Sequence, residues 1–464
     1  MNHATAPQQL QKKTLVLGLG KSGQATVRFL MAQGVAVIAA DPRLNPPGLE
    51  PLQQQFPDLE IRLGPLELAE LTRFERMVLS PGLSYWDPIV EQARAAGVEV
   101  VGDVELFSWF CDAPVVAITG SNGKSTVTTL VAEMATMAGL RVQVGGNLGI
   151  PILELLPQES QQALKPQLYV IELSSFQLES TFSLKAAAAV VLNISPDHMD
   201  RYRDLDHYTE TKGGIYRGAE QLAYPAGDAV IESLVAQFGS EQAERTPYGS
   251  ALSNFNFCVD AQGQNSICRR GKPLLPLSQL RIAGRHNWSN ALAALTLGEV
   301  VGIRLDAMLE TLQQFKGLPH RTEWIAEEQG IRWINDSKGT NLGATLAAIE
   351  GLSEAEQGKV VLIAGGQGKG ADFSPLYPVA ERQLRAAVLM GEDAALLEEV
   401  LPETVARQSV ESMQAAVSAA AHLAEAGDTI LLSPACASFD QYSGFEVRGD
   451  SFRQAVTQLL EQQT

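Results

Sequence analysis

The chain lacks any run of about 18 consecutive apolar residues, so no segment reads as a membrane-spanning helix. Its opening, MNHATAPQQLQKK, is polar and lacks the apolar centre of a signal peptide. Cysteine is scarce, with four in 464 residues (Cys111, Cys258, Cys268, Cys436) and no C-x-x-C pair or metal-finger spacing among them. That excludes a zinc-finger reading and makes reduced thiols in a cytoplasmic protein the expectation. Positive charge is in deficit: 35 Lys and Arg face 53 Asp and Glu, a net −18. A surface built to hold nucleic acid or an anionic membrane is therefore not expected. A phosphate ligand would have to be met by cations gathered at one place. There is no internal repeat and no low-complexity tract.

What is present is a length that suggests three domains, at roughly 150 residues each, and a hydrophobic fraction of 45% that fits a soluble globular chain. Short β-rich runs alternate with helical stretches, which predicts parallel sheets covered by helices, an α/β protein. "TLVLGLG", "VAVIAAD" and "RMVLSPG" read as strands of a first, Rossmann-like block, residues 1–104. "VVAIT", "LYVIEL" and "AAAVVLNIS" belong to a central block, 105–316, with a P-loop ATPase character. After the Gly- and Pro-bearing linker "KGLPHRTEW", the strands "IRWIND", "KVVLIAGG" and "DTILLSPA" form a second Rossmann-like block, 317–464. Between 224 and 280 the pattern loosens, and an inserted small sheet or long loops are expected there.

Two glycine-rich loops carry the chemistry. In "LGLGKSG", Gly18, Gly20 and Gly23 sit between a strand and a helix, and Asp41 ends the next strand. The glycines let a phosphate approach the backbone N–H groups at the helix start. A dinucleotide, another nucleotide, or a plain tight turn all satisfy this loop. In "AITGSNGKSTVTTL", strand, glycines, Lys124, Ser125, Thr126 and helix follow in the order of a phosphate loop, although Ile118 stands where the Walker pattern has its first glycine. Gly120, Ser121, Asn122 and Gly123 supply the backbone nest, Lys124 neutralises phosphate charge, and a hydroxyl of Ser125 or Thr126 is a ligand type suited to Mg²⁺. The loop is short rather than lost, and it points to a nucleoside triphosphate.

Further polar clusters follow predicted strands, where open α/β sheets place ligands. Glu172 ends "LYVIE"; Asn193, Asp197, His198 and Asp200 follow "AAAVVL"; Asn287 and Asn290 lie in "GRHNWSN". Arg321 lies at the linker, Asp336, Lys338 and Thr340 in "NDSKGTN", Lys369 in "GGQGKG", and Ser438 and Phe445 in "SPACASFDQYSGFEVRG". Oxygen ligands beside a triphosphate loop are what Mg²⁺ requires.

Taken in order, T-G-S-N-G-K-S, E-L-S-S-F-Q-L, D-H-M-D-R-Y, G-L-P-H-R, N-D-S-K-G-T-N and S-P-A-C-A-S-F-D-Q resemble the Mur ligase family of peptidoglycan synthesis over nearly the whole chain. The N-terminal fingerprint and the last of these runs resemble the D-glutamate-adding branch. The resemblance implies three α/β domains and an ATP-dependent joining of D-glutamate to UDP-N-acetylmuramoyl-L-alanine through an acyl phosphate. It implies that Lys21, Ser22, Asp41, Arg43 and Ser80 surround the uridine and diphosphate, so that the first fingerprint serves no nicotinamide cofactor. Asn147 would contact the sugar nucleotide. The 120–126 loop, Asn287, Arg321 and Asp336 would hold ATP. Lys338, Thr340, Lys369, Ser438 and Phe445 would form the D-glutamate pocket. Ser125, Glu172, His198 and Lys212 would serve Mg²⁺, two ions in all, with Lys212 carried as a carbamate. Lys124, His198 and Lys212 would be catalytic. A cytoplasmic monomer acting on small molecules is the implied state.

Overall fold

The computed structural model describes Leu10 and residues 12–157, 165–195, 197–199, 201–282, 284–353, 358–368 and 370–463. By its contacts the chain divides into two compact units, Met1–Leu275 with Asn290–Thr311, and Pro276–Ser289 with Leu312–Thr464.

The first unit begins with a five-stranded parallel sheet: β1 (Thr14–Leu17), β2 (Val37–Asp41), β3 (Ile61–Leu63), β4 (Arg76–Leu79) and β5 (Glu99–Gly102), in the order β3-β2-β1-β4-β5. Every residue of β1 and β4 is buried, which is why both read as unbroken runs rather than alternating ones. Connections leave β1 outward to β2 and β3, then return to β4, so the topological switch lies between β1 and β4. Gly18 and Ser80 sit at those two carboxyl ends, the crevice where such sheets take ligands. Gly18 has φ +93°, and a Cβ on Gly23 would lie 1.7 Å from the Gly18 carbonyl oxygen, so the turn closes only with glycine there.

The second sheet comprises β6 (Val115–Thr119), β7 (Val142–Gly146), β8 (Leu168–Glu172), β9 (Ala188–Val191), β10 (Gln221–Pro225) and β11 (Glu244–Tyr248), all parallel, in the order β11-β10-β9-β6-β8-β7. A single apolar core links it to the first sheet: Val16, Val104, Phe107, Val115 and Tyr169 belong to one buried cluster. The expected join near 104 falls inside the helix Asp103–Phe110 that feeds this core.

The loosely patterned segment is more ordered than its composition suggests. β10 and β11 extend the main sheet across the helix Ala229–Phe238, whose first N–H groups are capped by the Asp228 carboxylate. A small sheet of β12 (Phe255–Val259), β13 (Asn265–Arg269) and β14 (Lys272–Pro276) follows. It brings Cys258 and Cys268 side by side, a pairing that their spacing in the sequence does not suggest. Antiparallel pairing of β12 with β13 puts both on one face with their Cα atoms 5.9 Å apart, within disulfide reach. Spacing rules carry no trace of that hairpin. Cys111 and Cys436 are free thiols.

The second unit holds β15 (Glu323–Glu328), β16 (Ile331–Asn335), β17 (Val360–Ala364), β18 (Leu384–Leu389), β19 (Ala406–Ser409) and β20 (Thr429–Leu432), in the order β15-β16-β20-β17-β18-β19. Only β15 is antiparallel. It is joined to β16 by Gln329 and Gly330, both at positive φ as a tight hairpin turn needs. The sheet brings Asn335, Leu432 and Ala364 to one edge, where their loops meet. No helix among the described residues is long and apolar enough to cross a membrane.

Candidate active site

The phosphate loop runs from Thr119, at the end of β6, to the helix Lys124–Met137. Gly120 and Gly123 have φ +155° and +81°. A Cβ on Gly123 would lie 2.5 Å from Asn290 Oδ1, so this glycine answers a close approach as well as a turn. Residues after β9 hold the loop in shape, in place of the extra residues of a longer loop. Asn193 accepts from the Asn122 N–H at 2.8 Å and donates back to the Asn122 carbonyl at 3.1 Å. Ser121 donates to the Ser195 carbonyl and accepts the Ser195 N–H, and its hydroxyl also meets the Tyr208 hydroxyl at 3.0 Å. Asn193→Ala removes the two-point brace and is expected to weaken nucleoside triphosphate binding about tenfold in calorimetry; unchanged affinity would show that the loop holds itself.

Two lysines meet at this loop. Lys124 Nζ donates to the carbonyls of Gly120 and Ser121 at 2.8 and 2.9 Å. Lys212, in the helix Leu205–Gly213, donates to the same Gly120 carbonyl at 2.9 Å and is only 2% exposed. Burial first, and the nearby Lys124 cation second, push Lys212 down to about 7, against the opposing pull of Asp197 and Glu172. A buried amine at that value is half neutral near neutral pH, whereas an ordinary lysine is almost wholly charged.

Glu172 ends β8 one strand away from the loop and is 2% exposed. Its Oε1 accepts from Asn147 Nδ2 at 2.7 Å, while Oε2 is buried with no hydrogen-bond partner. A carboxylate oxygen left in that state is costly unless something cationic reaches it. His198 lies beyond β9 with φ +55°, in the left-handed region that few side chains adopt and that histidine tolerates better than most. Its ring packs on Phe176 at 4.7 Å and its Nε2 lies 3.5 Å from Asp197 Oδ2. Among the described residues no three His, Cys, Asp or Glu side chains converge as a ready metal site. Asp200 lies outside the described residues.

At the first sheet, Asp41 is fully buried and accepts the Leu19 N–H at 2.7 Å through Oδ2. Arg43 forks onto both of its oxygens at 2.8 and 2.7 Å. Burial would raise the Asp41 carboxyl, but these donors outweigh it and hold it below the usual carboxylate range. Asp41 thus fixes the glycine loop and aims Arg43, while Lys21 and Ser22 open the helix Lys21–Ala32 beside it. Asp103, which sequence reasoning missed, is buried beside Ser22 and Gln177; burial pushes it up to about 6 against the pull of the Val104 N–H and of those two side chains.

In the second unit, Asp336 follows β16 and accepts from Ser433 Oγ at 2.7 Å and the Thr322 N–H at 3.1 Å. Burial raises it to about 6 in spite of those donors and Arg321. Lys338 Nζ lies 5.0 Å from the centre of the Phe445 ring, and Ser438 is buried nearby in sequence at the end of the β20 loop. Thr340 is exposed on the turn after Lys338, and its N–H donates to the Lys338 carbonyl. Lys369 lies outside the described residues. Asn287 is buried in the first turn of the helix Arg285–Val300. Sequence reasoning also missed Arg448. Its buried guanidinium donates to the carbonyls of Ser337, Gly365 and Cys436, tying three loops at the sheet edge. Its place three residues after Phe445 on one helix was the available signal.

Comparison with known proteins agrees with this layout. Three family models match in order: a Mur ligase MurD-like N-terminal domain over 12–102, a Mur ligase middle domain over 118–298, and a Mur ligase glutamate ligase domain over 320–436. The UDP-N-acetylmuramoylalanine–D-glutamate ligase of Nitrosococcus oceani is 51% identical over 97% of this chain and 98% of its own. The protein of the same name from Pseudomonas aeruginosa is 47% identical over 96% and 98%. Among solved structures, the MurF ligase of Thermotoga maritima in complex with ADP superposes with a TM-score of 0.58 over 99% of this chain and 97% of its own, at 15% identity, a likeness of fold. From sequence and fold together, the chain belongs to the Mur ligase family.

Proposed function

We propose that this protein joins D-glutamate to UDP-N-acetylmuramoyl-L-alanine at the expense of ATP, in the cytoplasm and as a single chain. The observation that carries the chemistry is the meeting of Lys124 and Lys212 on one loop carbonyl, beside a buried Glu172 oxygen that has no partner. The names of relatives up to 51% identical support the substrate pair.

In this reading the alanine carboxylate takes the γ-phosphoryl group, because a carboxylate has no leaving group better than oxide. The D-glutamate amine then adds to the acyl phosphate carbon, and the tetrahedral adduct collapses to the amide with loss of phosphate. ADP is released. Negative charge builds in both steps, so the site works by placed cations and N–H donors. Gly120–Thr126 cradle the phosphates and Lys124 faces their charge, with Asn287, Arg321 and Asp336 as further ATP contacts. Lys21, Ser22, Asp41, Arg43, Ser80 and Asn147 bind the sugar nucleotide. Lys338, Thr340, Lys369, Ser438 and Phe445 take D-glutamate. We assign these roles to domains spanning 1–104, 105–316 and 317–464.

The donor set suits Mg²⁺: the orphaned Glu172 oxygen, the Ser125 hydroxyl, His198, and a carbamate on Lys212, which could together serve two ions. Bound there, Mg²⁺ would offset phosphate charge. The neutral Lys212 amine is the form able to add to CO₂, turning a cation into an oxygen ligand.

The test is phosphate release with each substrate omitted in turn, and mass analysis of the product. Release should need both UDP-N-acetylmuramoyl-L-alanine and D-glutamate; equal release with L-lysine in place of D-glutamate would overturn the specificity.

A further inference from the structure

Outside the groups already assigned, one buried ion pair stands apart. Glu179 has a fully buried carboxylate whose two oxygens take Arg201 Nε at 2.9 Å and a second Arg201 nitrogen at 2.6 Å. Tyr202 donates its hydroxyl to Glu179 at 2.7 Å, and the Tyr85 N–H donates at 3.2 Å. Two further Arg201 donors go to the carbonyls of Pro81 and Leu83, at 3.0 and 2.9 Å. Its guanidinium also lies 3.8 Å from the centre of the Phe176 ring, the ring that packs on His198.

Both ends of this assembly reach groups that matter. Pro81–Leu83 directly follow Ser80 at the carboxyl end of β4. At the other end, the His198 carbonyl accepts the N–H groups of Arg201 and Tyr202 at 2.9 and 3.3 Å, closing the turn that holds His198 at positive φ. A surface ion pair would contribute little to such an arrangement. Here the carboxylate is fully buried, the guanidinium nearly so, the pairing is bidentate, and further donors go to backbone, so it fixes geometry.

We propose that Arg201 and Glu179 are positioning residues for the ligase reaction: together they lock the loop after Ser80 onto the turn that carries His198. The sugar-nucleotide end of the substrate and the phosphoryl-accepting end are thereby held in one register. Only arginine supplies the planar fork and the extra donors at once. The inference rests on the proposed roles of Ser80 and His198.

The experiment compares Arg201→Lys and the milder Tyr202→Phe with wild type, using calorimetric Kd for UDP-N-acetylmuramoyl-L-alanine without ATP, steady-state KM for each substrate, and melting temperature. Arg201→Lys is expected to raise Kd and KM for the sugar nucleotide about tenfold, and Tyr202→Phe roughly threefold, with KM for D-glutamate within about twofold of wild type. A role in stability alone would lower the melting temperature and the active fraction but leave Kd and KM where they were, and that result overturns the proposal. If Arg201→Lys does not fold, an unchanged Kd in Tyr202→Phe overturns it equally. Ser80→Ala separates the two readings: no effect there removes the assigned role of Ser80, whereas weakened binding in Ser80→Ala with none in the Arg201 or Tyr202 variants defeats only the lock.

Discussion

Lys212→Met is expected to lower kcat by about a thousandfold or more while the protein stays folded and still binds ATP, a barrier increase of roughly 4 kcal/mol. The substitution keeps the length and apolar stem of a side chain that is 2% exposed, so packing changes little. What is lost is the amine at 2.9 Å from the Gly120 carbonyl and, on the proposed reading, the carbamate formed from it. Carbamate formation has a defined sign with pH. Only the unprotonated amine carries the lone pair that attacks CO₂, giving an N–C bond and releasing a proton. Because Lys212 is pushed down to about 7, about half the amines are neutral at pH 7 and roughly one in a hundred at pH 5. Enzyme stripped of CO₂ should therefore lose activity and regain it on adding bicarbonate, faster at pH 8 than at pH 6. Rapid-quench phosphate release and calorimetric ATP titration check the variant. Near-normal turnover by Lys212→Met, or recovery that is faster in acid, would sink the assignment.

How much of this was readable beforehand divides along a physical line. The loops after β1 and β6 were legible because an apolar strand, a glycine turn and a helix lie next to one another in sequence. The same holds for Glu172 and Asp336, which directly end or follow strands. Long-range partnerships were not. Arg448 binds Ser337 across 111 residues, and Arg201 reaches Pro81 across 120, so no local period marks either pairing. The Cys258–Cys268 approach was missed because it depends on a hairpin register, and β15 because its sequence, EWIAEE, groups its apolar residues together instead of alternating them. The fate of Glu172 shows the limit most clearly: sequence places the carboxylate, but only packing shows that one of its oxygens is left unsatisfied.

Lys124→Ala is expected to remove phosphoryl transfer, with kcat down about a thousandfold or more, and to leave the Kd for the sugar nucleotide within about twofold. Lys124 sits in the first turn of its helix, and its amine rests on the Gly120 and Ser121 carbonyls, two neutral acceptors that a phosphate oxygen would readily displace. Asp41, Arg43 and Ser80 lie instead at the carboxyl ends of the first sheet, so truncation at residue 124 leaves that cradle whole. Single-turnover ADP formation and calorimetry separate the two effects, and simultaneous loss of sugar-nucleotide binding would mean the sites are not distinct. A second consequence follows from charge. The Lys124 cation is the second cause of the lowered Lys212 value, after burial. Its removal should let Lys212 hold its proton to higher pH, leaving less neutral amine at pH 7. The pH at which ¹³C-bicarbonate labels the Lys212 amine, read by NMR, should move upward in Lys124→Ala, and an unmoved or lowered midpoint would contradict the electrostatic coupling of the two lysines.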